Sequence, residues 1–166
     1  SLDPLRLADQ TSMTDAVLVT GGFGYIGGRV ARHLAQSGVS LRLATRQVNA
    51  APPDWLPDAE VVAMDLDDDA SIESACNGMT GIVHLASLNE HECAADPQHA
   101  LQVNGLGTLK LLQSAQRCRV SRFIYFSTAH VYGAPLAGTI TERTLPRPTH
   151  PYAITHRIAE DFVLAA

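Results

Sequence analysis

The sequence is short of positive charge. Of its 166 residues, 12 are lysine or arginine against 17 aspartate or glutamate, and the formal net charge is -5. Surfaces for nucleic acid or anionic membranes need clustered cations, so neither partner is expected and a small molecule is. Long apolar runs are also missing. No stretch reaches the roughly 18 to 20 residues that span a bilayer, and the N-terminus lacks the basic-then-apolar layout of a secretory signal. The expected location is the cytoplasm. Cysteine is scarce: Cys76, Cys93 and Cys118 are odd in number and widely spaced, which predicts reduced, partly buried thiols in place of a disulfide framework or a zinc set. His91 and Cys93 in NEHEC offer two ligand types in what reads as a polar loop, short of a closed coordination shell, so no metal is expected. Internal repeats and low-complexity tracts are absent.

What is present suits one globular domain. Hydrophobic residues make up 46% of the chain and charged residues 17%, and a chain of this length buries roughly two thirds of its extended surface on folding. Residues 1–12, SLDPLRLADQTS, are polar and without clear period, and read as a leader, tag or alternative start; residues 13–166 read as the folded domain. From Ala16 short β-branched runs alternate with segments of helical period, the signature of βαβ units and a parallel sheet. The predicted strands are 16–20, 40–45, 60–64, 81–86 and 122–127. The predicted helices are 25–37, 70–76, 97–117 and 152–165. NAAPPDWLP at 49–57 predicts a surface loop, and the proline-broken stretch 133–151 predicts a long irregular one. The fold class is therefore α/β, a Rossmann-type doubly wound parallel sheet with helices on both faces.

TGGFGYIGGRV follows the first strand directly and opens an amphipathic helix. In that context glycines let a tight turn deliver backbone N–H groups to a pyrophosphate. Gly21 would permit the turn, Gly24 the approach of the phosphates and Gly27 the packing of helix on strand, with Phe23, Tyr25 and Ile26 completing the loop. The end of the second strand reads the adenosine ribose, by a carboxylate for the free 2'-hydroxyl of NAD or an arginine for the 2'-phosphate of NADP. Thr45 and Arg46 stand there, so the expected cofactor is NADP or NAD, with NADP favoured. Asp65 and Leu66, in MDLDD after the third strand, are placed for the adenine, although Asp67, Asp68 and Asp69 also read as solvated helix-start charge.

In order along the chain, TGGFGYIG, the DLDD turn, HLAS at 84–87, the run Asn104 to Thr108, FSTAHVYG at 126–133 and PYAITH at 151–156 closely resemble the extended short-chain dehydrogenase/reductase family, the nucleotide-sugar epimerases and dehydratases and their relatives. The likeness covers Met13 to the end. It implies that Leu85, Ala86 and Ser87 lie along the cofactor, that Asn104 is a buried helix amide with a structural and relay role, and that Thr128 and Tyr152 are the catalytic hydroxyl and the catalytic tyrosine. Tyr152 would act as general acid or base toward a substrate hydroxyl while hydride passes to or from the nicotinamide.

Three departures shape the functional expectation. His156 stands where the family has lysine, four residues and one helix face from Tyr152. Bringing a tyrosine from about 10 to about 7 needs roughly 4 kcal/mol, and a neutral imidazole brings no full charge to supply it. His156 is expected either protonated beside a tyrosinate or donating to the tyrosine oxygen. Ala129 and His130 replace the Asp-Glu pair of sugar dehydratases, which leaves epimerase, reductase or dehydrogenase chemistry. The family also runs to roughly twice this length, so the chain reads as lacking the substrate lobe that follows the tyrosine helix. The expectation is an NAD(P)-dependent oxidoreductase or epimerase acting on a hydroxyl or carbonyl carbon, with a nucleotide sugar as substrate and a homodimer as the family's usual assembly. The alternative is a dinucleotide-binding module without catalysis.

Overall fold

A computed structural model describes residues 15–166, so the leader expected over 1–12 lies outside the described residues. Five strands, β1 (Ala16–Thr20), β2 (Ser40–Thr45), β3 (Glu60–Ala63), β4 (Gly81–His84) and β5 (Arg122–Tyr125), form one sheet in the order β3-β2-β1-β4-β5. Every pairing is parallel. The direction of winding reverses between β1 and β4, and in open sheets of this kind the crevice at that point holds the ligand.

Side chains alternate across a strand, and both faces of this sheet are buried. Leu18 and Ile82 point into a core with Met64, Ile72 and Leu111, while Val19, Leu43 and Val83 point into a second core with Ala31. This is why the strands read as continuous apolar runs. Each fully buried leucine or isoleucine contributes roughly 1.5 to 3 kcal/mol. Helix α1 (Tyr25–Gln36) covers one face; α2 (Asp69–Cys76) and α5 (Thr108–Arg117) cover the other. Small residues at Gly27 and Ala31, one turn apart, let α1 approach the sheet. The Asp68 carboxylate accepts from the Ala70 amide at 3.0 Å and caps α2, so this part of the aspartate run is helix-start chemistry. Arg42 of β2 donates to Glu60 of β3 and to the carbonyls of Ala75 and Asn77 at the end of α2, tying edge strand to helix.

The structure departs from the sequence reading in three places. NEHEC is not a loop: Glu90–Ala95 forms helix α3, closed by a capping box in which Asn89 accepts from the Glu92 amide and Glu92 accepts from the Asn89 amide. The helix expected over 97–117 is interrupted. It begins as α4 (Pro97–Ala100), widens into a π-helical segment Leu101–Gly107 and resumes as α5. Gly107 lies there because an added Cβ would meet Leu66 Cβ at 2.8 Å. Within FSTAHVYG, Ala129–Tyr132 forms a 3-10 turn. The segment from 133 to 150 is irregular, as expected, and ends at α6 (Pro151–Leu164), which packs on the π-helical segment and α5.

Candidate functional site

The glycine turn is shaped by steric exclusion. Gly21 has φ +69, and a Cβ there would press on the backbone of Leu85 and Ala86 at 3.0 Å. At Gly27 a Cβ would stand 2.2 Å from the Gly21 carbonyl oxygen. Gly24 differs: it is the N-cap of α1, carries no side chain to cap the first turn, and a Cβ would meet only the Gly21 oxygen, at 3.2 Å. The helix N-terminus therefore keeps an open side, beside which Phe23, Tyr25 and Ile26 are exposed.

Beyond the turn, a cleft of about 320 Å³ runs along the C-terminal ends of β1 to β4. Gly21, Phe23, Arg46, Asp65, Leu66, Ala86 and Ser87 line it, as do Leu88 and Val103. Arg46 is exposed and has no ion-pair partner among the described residues. One Asp65 carboxylate oxygen accepts from the Asp67 amide at 3.0 Å, which steadies the carboxyl group at the rim. Leu85 packs into the core on the α1 side. The amides of Leu85 and Ala86 both donate to Thr20 Oγ1 at 3.1 Å, so any contact these two residues make with a ligand uses carbonyl or side-chain atoms.

Asn104 is buried and its amide is fully engaged. Its oxygen accepts from the Leu88 amide at 2.8 Å, and its nitrogen donates to Thr155 Oγ1 at 3.2 Å and Cys93 Sγ at 3.4 Å. It locks the cleft wall to α3 and α6 and offers no free atom to a ligand. Burial pushes the Cys76 thiol up to about 11 and Cys93 in the same direction, so these two thiols are fully buried and stay protonated.

The tyrosine end joins β5, the 3-10 turn and α6. Tyr152 packs against Leu88, Cys93 and Ala100, and Leu88 also forms a wall of the cleft. Burial raises the Tyr152 phenol above its ordinary value, and the Thr128 hydroxyl beside it works the other way. The His156 ring lies edge-on to Tyr152, centroids 4.5 Å apart. It is buried, however, and its Nδ1 shares a hydrogen at 2.6 Å with the Tyr125 hydroxyl. Burial lowers His156 to about 4. Of the two states expected from the sequence, imidazolium beside tyrosinate is therefore not the resting one at neutral pH, because burial disfavours the charged ring. The hydrogen bond goes to Tyr125, not to Tyr152.

Sequence reasoning missed two residues of this network. Tyr125 follows Phe123 at a spacing of two on β5, and that alternation could have placed it on the α6 side. His84, completely buried, links Thr20 Oγ1 at 2.6 Å to Thr108 Oγ1 at 3.0 Å and is lowered to about 3 by burial. It braces the strand end from which the cleft opens.

The chain is similar to known proteins. The model of a family described as NAD dependent epimerase/dehydratase matches residues 17–166. A UDP-glucose 4-epimerase of Streptomyces lividans is 31% identical over 159 residues, covering 92% of this chain and 47% of that protein. A 3 beta-hydroxysteroid dehydrogenase/Delta 5-->4-isomerase of Mycobacterium tuberculosis is 34% identical over 172 residues, covering 96% of this chain and 45% of that protein. Among solved structures, MoeE5 in complex with UDP-glucose and NAD matches with a TM-score of 0.79 and 28% identity, covering 90% of this chain and 48% of that one. The chain thus spans about half the length of the curated relatives it matches.

Proposed function

This chain belongs to the NAD dependent epimerase/dehydratase family, and we propose that residues 13–166 are the dinucleotide-binding half of an enzyme of oxidoreductase or epimerase type acting on a hydroxyl or carbonyl carbon of a nucleotide sugar. The observation that carries the reading is the glycine turn. The 2.2 Å approach at Gly27 and the uncapped N-terminus at Gly24 make sense as a cradle for a pyrophosphate, which takes hydrogen bonds from the first turn of α1 and gains from its dipole. The cleft that continues from the turn suits an adenosine, with Asp65 and Leu66 at the base and Arg46 at the ribose. An exposed, unpaired guanidinium at that rim favours a 2'-phosphate and hence NADP.

The bound nicotinamide would supply the hydride acceptor or donor. Tyr152 would exchange the hydroxyl proton of the substrate and Thr128 would hold that hydroxyl in place. His156 would act through position, not charge. Its Nε2 is buried with no hydrogen-bond partner among the described residues, and a cofactor ribose hydroxyl would satisfy it. Similarity to both a sugar epimerase and a steroid dehydrogenase fits a half-chain that handles the cofactor and leaves substrate choice to other residues. The reading of a module without turnover draws on His156, neutral where the resembled family has lysine, together with the expected lack of a substrate lobe.

Fluorescence titration with NADPH and NADH tests the core of this reading. The parent chain should bind both, NADPH more tightly, and Gly24→Val should bind neither, because the valine side chain would occupy the phosphate's place and its Cβ would press on the Gly21 oxygen at 3.2 Å. Equal affinity in parent and variant would remove the glycine turn as the cofactor site.

A further inference from the structure

Glu90, His130 and His150 come from three separate elements. Glu90 opens α3, His130 lies in the 3-10 turn and His150 is the N-cap of α6. Each offers one ligand atom, and the three atoms lie within 4.8 Å of one another. The two imidazoles meet edge to face, with centroids 5.5 Å apart and planes at 85°. His130 Nδ1 and both ring nitrogens of His150 are buried with no hydrogen-bond partner among the described residues. The Glu90 carboxylate stands 3.8 Å from His150 Nε2, beyond hydrogen-bond range. Buried polar nitrogens are ordinarily paired. Here three gather unpaired next to a carboxylate.

We propose that Glu90, His130 and His150 bind one divalent transition-metal ion of the zinc class. Two imidazole nitrogens and a carboxylate oxygen form the donor set of three-ligand zinc sites, in which a fourth position stays open to water or a substrate oxygen. Magnesium and calcium are disfavoured because they take oxygen ligands. Metal–ligand bonds of about 2.0 to 2.2 Å put tetrahedral ligands about 3.4 Å apart. Closing the present spread would take small rotations of the three side chains, of which Glu90, 62% exposed, is the freest to swing. The ion would sit near Tyr152, whose ring is stacked parallel to His150 at 6.2 Å. Occupancy would also pin the start of α3, the 3-10 turn and the start of α6 to one another, clamping both ends of the irregular segment between them. The expectation of no metal weighed only His91 and Cys93, which are local in sequence. This triad has no local motif, and the fold alone assembles it. The inference is independent of the proposed enzyme activity.

The test is competition for Zn²⁺ between the full chain and a chromophoric chelator at neutral pH, with Co²⁺ as a spectroscopic substitute. The parent should take up one equivalent of Zn²⁺ with micromolar or tighter affinity, and the Co²⁺ form should show a visible ligand-field band. His130→Ala and His150→Ala should each weaken Zn²⁺ by at least about tenfold and abolish the band. Glu90→Gln should weaken Zn²⁺ in the same direction, and because that side chain is exposed the variant keeps its fold. His91→Ala, an exposed histidine on the same helix, should leave affinity unchanged. Failure of the parent to bind, equal affinity in Glu90→Gln and parent, or displacement of Zn²⁺ by equimolar Mg²⁺ would each overturn the proposal. The first outcome would leave the three residues as an ordinary histidine–carboxylate contact, the second would place the metal on other residues, and the third would mean a site of the oxygen-ligand class.

Discussion

At the glycine turn a single methyl group added to Gly27 would collide with a carbonyl oxygen at 2.2 Å, whereas at the tyrosine end four buried ring nitrogens, on His130, His150 and His156, have no hydrogen-bond partner among the described residues. The first region is finished in itself: its shape is backbone against backbone, and its amides are either paired or aimed outward from α1. The second holds chemistry in side chains that the described residues leave unsatisfied. The difference teaches that the two regions are built on different principles: the glycine turn depends on where atoms cannot be, and the tyrosine end depends on which groups complete its hydrogen bonds.

Gly27→Val should show the largest effect, because the clash is with backbone that cannot rotate away. We expect a loss of more than about 4 kcal/mol in urea unfolding, or no folded protein, together with loss of cofactor binding. A variant that folds and binds as the parent does would erase the contrast between the two regions. Tyr152→Phe should do the reverse. In a full-length protein carrying the substrate lobe, turnover of UDP-glucose or a related nucleotide sugar should fall by roughly 10² to 10⁴, the usual weight of a general acid or base, while cofactor affinity stays within a few fold. A rate equal to the parent's would make the tyrosine structural and favour the module without turnover.

Next in size is an acid effect confined to the buried histidines. His156 is lowered from 6.5 to about 4, so the unfolded chain binds more protons there than the folded one. Its contribution is complete above about pH 6.5 and is lost as pH falls toward about 4, at a cost of about 3 kcal/mol. His84 acts with the same sign over a window reaching to about 3. Unfolding free energies measured at intervals across this range should therefore fall steeply for the parent and less so for His156→Gln. Parallel curves would mean that His156 takes up its proton over the same pH range in the folded and unfolded chain. The smallest effect belongs to the rim of the cleft. Arg46→Asp should reverse the NADPH preference by about 10 to 150 fold, the worth of one charged hydrogen bond. A parent that prefers NADH in competition titration would remove Arg46 from the phosphate site.

All five strands and the helices α1, α2 and α6 were legible to within one or two residues, because alternation and helical period are local properties of the chain. The overrun at 85–86 has a physical cause: the chain leaves the sheet where Thr20 Oγ1 replaces a strand partner for the amides of Leu85 and Ala86. The short helix α3 was hidden by its polar composition, although Asn89 followed three residues later by Glu92 is a capping box that could have announced it. The π-helical segment left no sequence signal beyond its glycines.

The sequence by itself determined the doubly wound sheet, the glycine turn and the order of motifs, since each of these depends on neighbours within a few residues. The tertiary structure alone decided what the side chains do at the tyrosine end. It paired His156 with Tyr125 and not with Tyr152, engaged every polar atom of Asn104, and brought Glu90, His130 and His150 together across a distance of 60 residues between the first and the last. Backbone geometry is written in local spacing. Which imidazole is buried, neutral or free to bind depends on groups remote in the chain, whose meeting only the packed fold specifies.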